Sequence, residues 1–514
     1  MVDMRAISLS AHPRGDGRVS TQRSTGVTTR MQATGTVRAE RFSWAITRQR
    51  TVAIGIVQFG VLLACLFAAP FGKIVDVDYW WHLATGELIL EQGIPREDPF
   101  SWTMAGEHWV THEWLSEVII AGVQNTFGYA ANAAMFGAVG CAALAINYAL
   151  ARRLGASQRA LALLGLLSVI TLGLSLTARP QIFSWLMFSA FLYVLATDRQ
   201  EPSRRIWLLP PLMLLWANLH LGFTYGLALT GVWLLSEVIR HLRGDDVNLL
   251  RAGGVFAACC AVSFATPATY ELIFYPFRYW EDRQALSQVQ EWKSPLQLHP
   301  ALLAYHISLI IAVGVLLLRR RTPLFVTLAG VLMICVSLTA LRNIAYLALV
   351  LLPVAGPAWQ QVSGARVTRL PLAFASAVIA AVAAGALAVT LTFNTGFSFG
   401  EPGTRHFPAG GAEYIERNHA GARVLNTYDW GGYVIYATDV PVYIDPRSDL
   451  YRGDFMEDFY EILRVRDGWA QKLSARGIDV ALLPTRGNLA RAMRESGTWD
   501  EVFVGQRESV FVRR

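Results

Sequence analysis

Apolar runs long enough to cross a bilayer recur between residues 51 and 393 of this 514-residue chain, and then they stop. About 18 or more consecutive apolar residues read as a transmembrane helix. Spans are expected near 52–71, 131–151, 158–177, 182–197, 205–218, 222–240, 252–267, 300–318, 322–340, 343–359 and 370–393. The fold class is therefore an α-helical polytopic membrane protein of about eleven spans, followed by a water-soluble domain at 400–514. Composition agrees: 53% of residues are hydrophobic and 16% charged, where a soluble chain carries charge on about a quarter.

Charge placement orients the spans. Arg5, Arg14, Arg18, Arg23, Arg30, Arg38, Arg41, Arg48 and Arg50 precede the first one, opposed only by Asp3, Asp16 and Glu40. This tail, 1–50, reads as disordered and cytoplasmic; no nucleic-acid partner is expected from its charge alone. With the N-terminus inside, alternate loops carry Arg152, Arg153 and Arg159, then Arg199, Arg204 and Arg205, then Arg240, Arg243 and Arg251, then Arg319, Arg320 and Arg321, then Arg366 and Arg369. Every short inner loop is basic, as the positive-inside rule requires. The long first loop, 73–128, and the C-terminal domain then lie on the outer, extracytoplasmic side of a plasma membrane. The five cysteines fall inside apolar runs without metal-site spacing and read as small buried residues.

The remaining polar residues collect on the outer side. The first loop opens with Asp76 and Asp78, two apart, which in an extended segment point the same way. Such a pair can hold a divalent cation such as Mg or Mn, or supply a general base. Tyr79, Trp80 and Trp81 fit either an interfacial aromatic belt or a stacking platform for a sugar or headgroup. The segment 78–91 reads as an interfacial helix on which His82 lies one turn after Asp78. Asp98-Pro99 is turn chemistry. His112 and Glu113 open a second amphipathic run to Phe127, without the spacing of a zinc protease. Arg179 and Gln181, Asn218 and His220, and Arg342 and Asn343 stand at outer helix ends, where ionisable groups usually face a cavity.

These features resemble the GT-C superfamily of membrane glycosyltransferases. More closely, DVDYWWHLATGELILEQGIPREDPFSWT, HEWL, ARPQ, WANLH, EWKSP, NTYDWGGYVIY and YIDPRSDLY resemble a family of bacterial multipass proteins with the same layout, over most of 76–514. The superfamily resemblance implies transfer of a sugar from a polyprenyl-phosphate donor, on the extracytoplasmic face, to a glycan, lipid or protein acceptor. It implies Asp76 or Asp78 as base or metal ligand, Arg179 and Arg342 on the lipid phosphate, and Asn218 and His220 on sugar hydroxyls. Trp80, Trp81, His82, Asp98, His112, Glu113, Gln181 and Asn343 complete the expected substrate site.

The C-terminal segment alternates strands (422–426, 440–445, 478–484, 501–505, 509–512) with helices near 409–418, 454–466, 468–476 and 486–496, as in a small α/β domain. Asp429–Gly432 reads as a turn, and the Asp445–Asp449 loop as either an acceptor-binding loop or a local ion pair. The alternative function is a transporter or flippase of a lipid-linked or polar substrate, which the Pro210-Pro211 interruption favours. A scaffold or sensor would leave the outer acids and arginines unexplained.

Overall fold

The structure, a computed structural model, describes residues 53–69, 76–198, 202–275, 289–297, 299–318, 323–359, 376–381 and 406–514. The basic tail, Arg199, Arg319, Arg320, Arg321, Arg366, Arg369 and all but 376–381 of the last expected span lie outside the described residues.

Helices stand at the other expected spans. They are α1 Ala53–Ala68, α4 Tyr129–Arg153, α5 Gln158–Ser175, α6 Gln181–Asp198, α7 Leu209–Leu219, α8 Phe223–Leu242, α9 Leu249–Val262, α10 Leu303–Leu318, α11 Leu324–Ser337 and α12 Ile344–Ala355. α4, α5, α6 and the segment Pro300–Leu318 are long and apolar enough to cross a membrane by length and composition. The chain is thus a multi-pass membrane protein. Ser157 caps α5 by accepting from the Ala160 amide. At the end of α6 opposite Gln181, Asp198 takes a two-pronged contact from Arg251 (2.9 and 2.6 Å), which ties α6 to α9. Pro210 and Pro211 open α7 at its first positions and break no helix.

Between α1 and α4 the first loop folds into α2, Val77–Gln92, and α3, Trp114–Phe127. Both were expected as interfacial helices, but the aromatic face of α2 is interior. Tyr79, Trp80 and Trp81 are all buried, which corrects the belt reading. Trp80 sits edge-on to Phe407 and Tyr433, against Tyr436. Asp76 and Asp78 are also not in an extended strand: Asp76 is the N-cap of α2 and accepts from the Asp78 amide.

The C-terminal segment forms α13 Ala409–His419, α14 Tyr428–Ala437, α15 Gly453–Leu463, α16 Trp469–Ala475 and α17 Asn488–Ser496 around a four-stranded sheet of order β1-β2-β4-β3. The strands are β1 Val424–Asn426, β2 Val480–Pro484, β3 Trp499–Val504 and β4 Glu508–Arg513. β1 runs parallel to β2, and the other pairs are antiparallel. Two expectations fail here. Residues 440–445 do not join the sheet, because their backbone groups bond the first loop: Trp102 N–H donates to the Val442 carbonyl and Val442 N–H to that of Phe100, both at 3.0 Å. And 429–432 is helix, not turn.

Close packing explains the glycines of that helix. A Cβ on Gly431 would lie 2.1 Å from the Ile444 carbonyl oxygen, and one on Gly432 would lie 2.7 Å from that of Val77, at the start of α2. Gly431→Ala must move backbone and is expected to cost about 1–3 kcal/mol. A lowered unfolding midpoint in detergent would show it; an unchanged midpoint would not fit this packing.

Candidate active site

One polar cavity gathers side chains from seven parts of the chain. Asp78, Trp81 and His82 come from α2, and His112 and Glu113 from the start of α3. Arg179, Pro180 and Gln181 come from the α5–α6 turn, and His220 from the end of α7. Glu291 and Arg342 come from two short 3-10 turns, and Pro446, Arg447, Ser448 and Asp449 from the C-terminal domain. The two 3-10 turns are joined by the Leu341 amide, which donates to the Lys293 carbonyl at 3.0 Å.

Arg179 organises one wall. Its Nε donates to both oxygens of Asp76 at 2.6 Å, and its Nη1 lies 2.8 Å from Asp78 and 2.7 Å from Glu291. Glu291 in turn accepts from Arg342 at 3.3 Å, and Arg342 lies over the Trp292 ring at 4.8 Å. Three carboxyl groups thus face two guanidiniums. Burial raises Asp78, to about 8, with Asp76 and Glu291 adding to the rise against the pull of Arg179. Burial also works on Glu291, yet the two arginines hold it below its ordinary value.

Asp76 and Asp78 differ in access. The Asp76 side chain is 2% exposed and locked under Arg179, whereas Asp78 is 16% exposed and lines the cavity. The expected metal site fits poorly at this pair, because the guanidinium stands where a cation bridging the two carboxylates would stand. The expected phosphate grip of Arg179 is likewise reduced, since Nε and Nη1 are spent on carboxylates.

A second wall is built by the contact of α2 with α3. A Cβ on Gly86 would lie 2.1 Å from the Glu117 carbonyl oxygen, so only glycine lets the helices approach this closely. That approach places His82 Nδ1 3.1 Å from Glu117 Oε1 and Nε2 3.4 Å from Glu113 Oε2. His220 Nδ1 accepts from the Gly222 amide at 2.8 Å, so its proton is on Nε2, which donates to Glu113 Oε1 at 3.2 Å. His112 Nε2 lies 3.7 Å from the same carboxylate.

The remaining expected site residues divide clearly. Trp81, His82, His112, Glu113, Gln181, His220 and Arg342 reach the cavity; Trp80, Asp98, Asn218 and Asn343 are not among its lining residues. Trp80 anchors the C-terminal domain. Asn218 is fully engaged, accepting from Trp114 Nε1 (3.0 Å) and donating to the Leu214 and Ala265 carbonyls. Asn343 accepts from Tyr225 and donates to Thr339. Asp98 is buried, caps its own turn, and meets Arg447 Nη2 at 2.7 Å.

That contact joins the first loop to the C-terminal domain. Arg447 also grips Asp445 with Nε and Nη2 (2.8 and 2.6 Å) and stacks over Trp109 and Phe100. The expected local Asp445–Arg447 pair is present, and Asp98 extends it across the chain. Sequence reasoning met Glu291 only within EWKSP and Asp449 only within the Asp445–Asp449 loop, and it missed Glu117 as a site residue. Glu117 follows Glu113 by four residues on one helix face, a spacing that could have drawn attention to it.

The helical body, the folded first loop and the small C-terminal sheet together form an arrangement seen in a solved structure. The fold is similar to that of ArnT from Cupriavidus metallidurans, solved bound to undecaprenyl phosphate, with TM-score 0.51 and 15% identity over 89% of this chain and 97% of that one. Arabinofuranosyltransferase AftD from mycobacteria is similar at TM-score 0.48 and 13% identity over 91% of this chain, which spans only 40% of AftD; that likeness carries no further weight. No protein-family model and no curated protein sequence matches the chain.

Proposed function

We propose that the protein transfers a sugar from a polyprenyl-phosphate donor to an acceptor hydroxyl at the extracytoplasmic face of a bacterial plasma membrane. The observation that carries this reading is Asp78: a carboxyl group at the cavity surface, beside Arg179 and close to the Glu291–Arg342 pair. In the reaction the acceptor oxygen bonds to the anomeric carbon as the bond from that carbon to the phosphate oxygen breaks. The proton leaves the hydroxyl, and negative charge grows on the departing lipid phosphate. Asp78 takes the proton. Arg342 faces the phosphate, for which a planar guanidinium is well shaped. Arg179 is a positioning residue that holds Asp76, Asp78 and Glu291 in place.

Gln181, His112, Ser448 and Asp449 supply hydrogen-bonding groups around the same cavity for sugar or acceptor hydroxyls. The fold likeness to a protein solved with undecaprenyl phosphate supports a lipid-phosphate donor. The cavity, of about 50 Å3, has room for a few waters.

Arg342→Ala is expected to weaken binding of undecaprenyl phosphate by roughly tenfold or more, the worth of one charge-assisted contact. Titration of the protein in lipid nanodiscs measures this. Unchanged affinity would remove Arg342 from the phosphate site.

A further inference from the structure

The transfer step makes no use of Glu117, a carboxylate 1% exposed in the α2–α3 contact. Its Oε2 has no hydrogen-bond partner among the described residues. Orphaned buried acceptors are costly and rare. Its Oε1 faces His82, and the opposite ring nitrogen of His82 faces Glu113. A neutral imidazole carries one N–H, so one nitrogen turns a lone pair toward a carboxylate oxygen. Two carboxylates and one imidazole therefore meet in a buried space.

We propose that His82, Glu113 and Glu117 bind a divalent cation of the zinc type. One ligand atom from each lies within 4.8 Å of the others. Two carboxylates balance the +2 charge, and the imidazole lone pair and the orphaned oxygen both gain a partner. The nitrogen donor favours zinc and its neighbours over magnesium or calcium, which take oxygen ligands. The ligands stand on two helices locked together at Gly86, a rigid frame. His220 lies outside the ligand set, because its Nδ1 is occupied by the Gly222 amide and its Nε2–H is turned toward Glu113. It orients that ligand, as histidines and carboxylates beside metal sites commonly do. His82, Glu113 and His220 all line the cavity, which gives the ion a way in.

The site is a different one from Asp76 and Asp78, and the test is independent of whether sugar transfer occurs. The full-length protein is purified in nanodiscs without chelator, and its metal content is measured. It is then stripped and titrated with Co2+ alone. The expected result is about one zinc per chain, and visible Co2+ absorption of nitrogen–oxygen coordination in the wild type. Glu117→Gln and His82→Gln should each weaken Co2+ binding at least about tenfold, while Asp76→Asn leaves it intact. Two results would overturn the proposal: a wild type that neither retains zinc nor develops a Co2+ spectrum, which would leave a proton on Glu117 as the resolving charge, or Co2+ binding that survives in Glu117→Gln and is lost in Asp76→Asn. The wild-type titration stands even where a variant fails to fold.

Discussion

Asp78→Asn is expected to lower sugar-transfer turnover by about 10²- to 10⁴-fold, the usual contribution of a positioned general base. Asparagine keeps the shape and the first turn of α2 but cannot accept the proton. The same account fixes a pH profile. With the Asp78 carboxyl raised to about 8 by burial, the ionised base accumulates only as pH rises through that value, so wild-type turnover climbs toward and past pH 8. Stability runs the other way. A carboxyl raised in the folded state holds a proton there that the unfolded chain releases, so stability falls as pH rises from about 4 to about 8. Asp78→Asn removes this loss and is expected to be at least as stable as the wild type at pH 8. A variant with low activity and lowered stability at that pH would point to misfolding instead. A wild-type rate flat between pH 6 and 9 would remove Asp78 as the base.

The second large effect is structural. Arg447→Met is expected to cost about 3–5 kcal/mol, because it leaves two buried carboxylates, Asp98 and Asp445, without their cation. Arg447→Lys should recover little of this. An ammonium cannot make the two-pronged contact to Asp445 while meeting Asp98, nor stack flat over Trp109. The consequence reaches the cavity. The Asp98 turn leads into the bonds between Phe100, Trp102 and Val442, and the Asp445–Asp449 loop is itself cavity wall. Loss of this anchor should lower the unfolding midpoint and increase protease cleavage within the first loop. Equal midpoints for the wild type and Arg447→Met would mean that the cluster does not hold the two segments together.

How much of this was legible in the sequence follows from the range of each interaction. Hydropathy is local, so among the described residues helices appear where the apolar blocks predict. α2 and α3 were readable as helices, and Asp78 and His82, four apart on one helix face, do reach the same cavity. The docking of the first loop on the C-terminal domain was invisible. It depends on pairs such as Thr103 with Tyr443 and Trp102 with Val424, more than three hundred residues apart. Residues 440–445 look like a strand, because their pattern does not say that the partner is a loop. Gly431 and Gly432 look like a turn, because glycine marks close backbone approach and turns alike. Arg179 was the hardest to read. An arginine at a helix end suits lipid phosphate as well as a carboxylate, and only the fold brings Asp76 and Glu291 to it.

The most direct test of the central claim is transfer from a panel of polyprenyl-phosphate sugars by the purified protein in lipid nanodiscs, following release of the lipid phosphate. The account predicts turnover with at least one donor and its loss in Asp78→Asn. No sugar released from any donor, together with movement of intact lipid-linked substrate across the bilayer of proteoliposomes, would contradict it and make the protein a transporter.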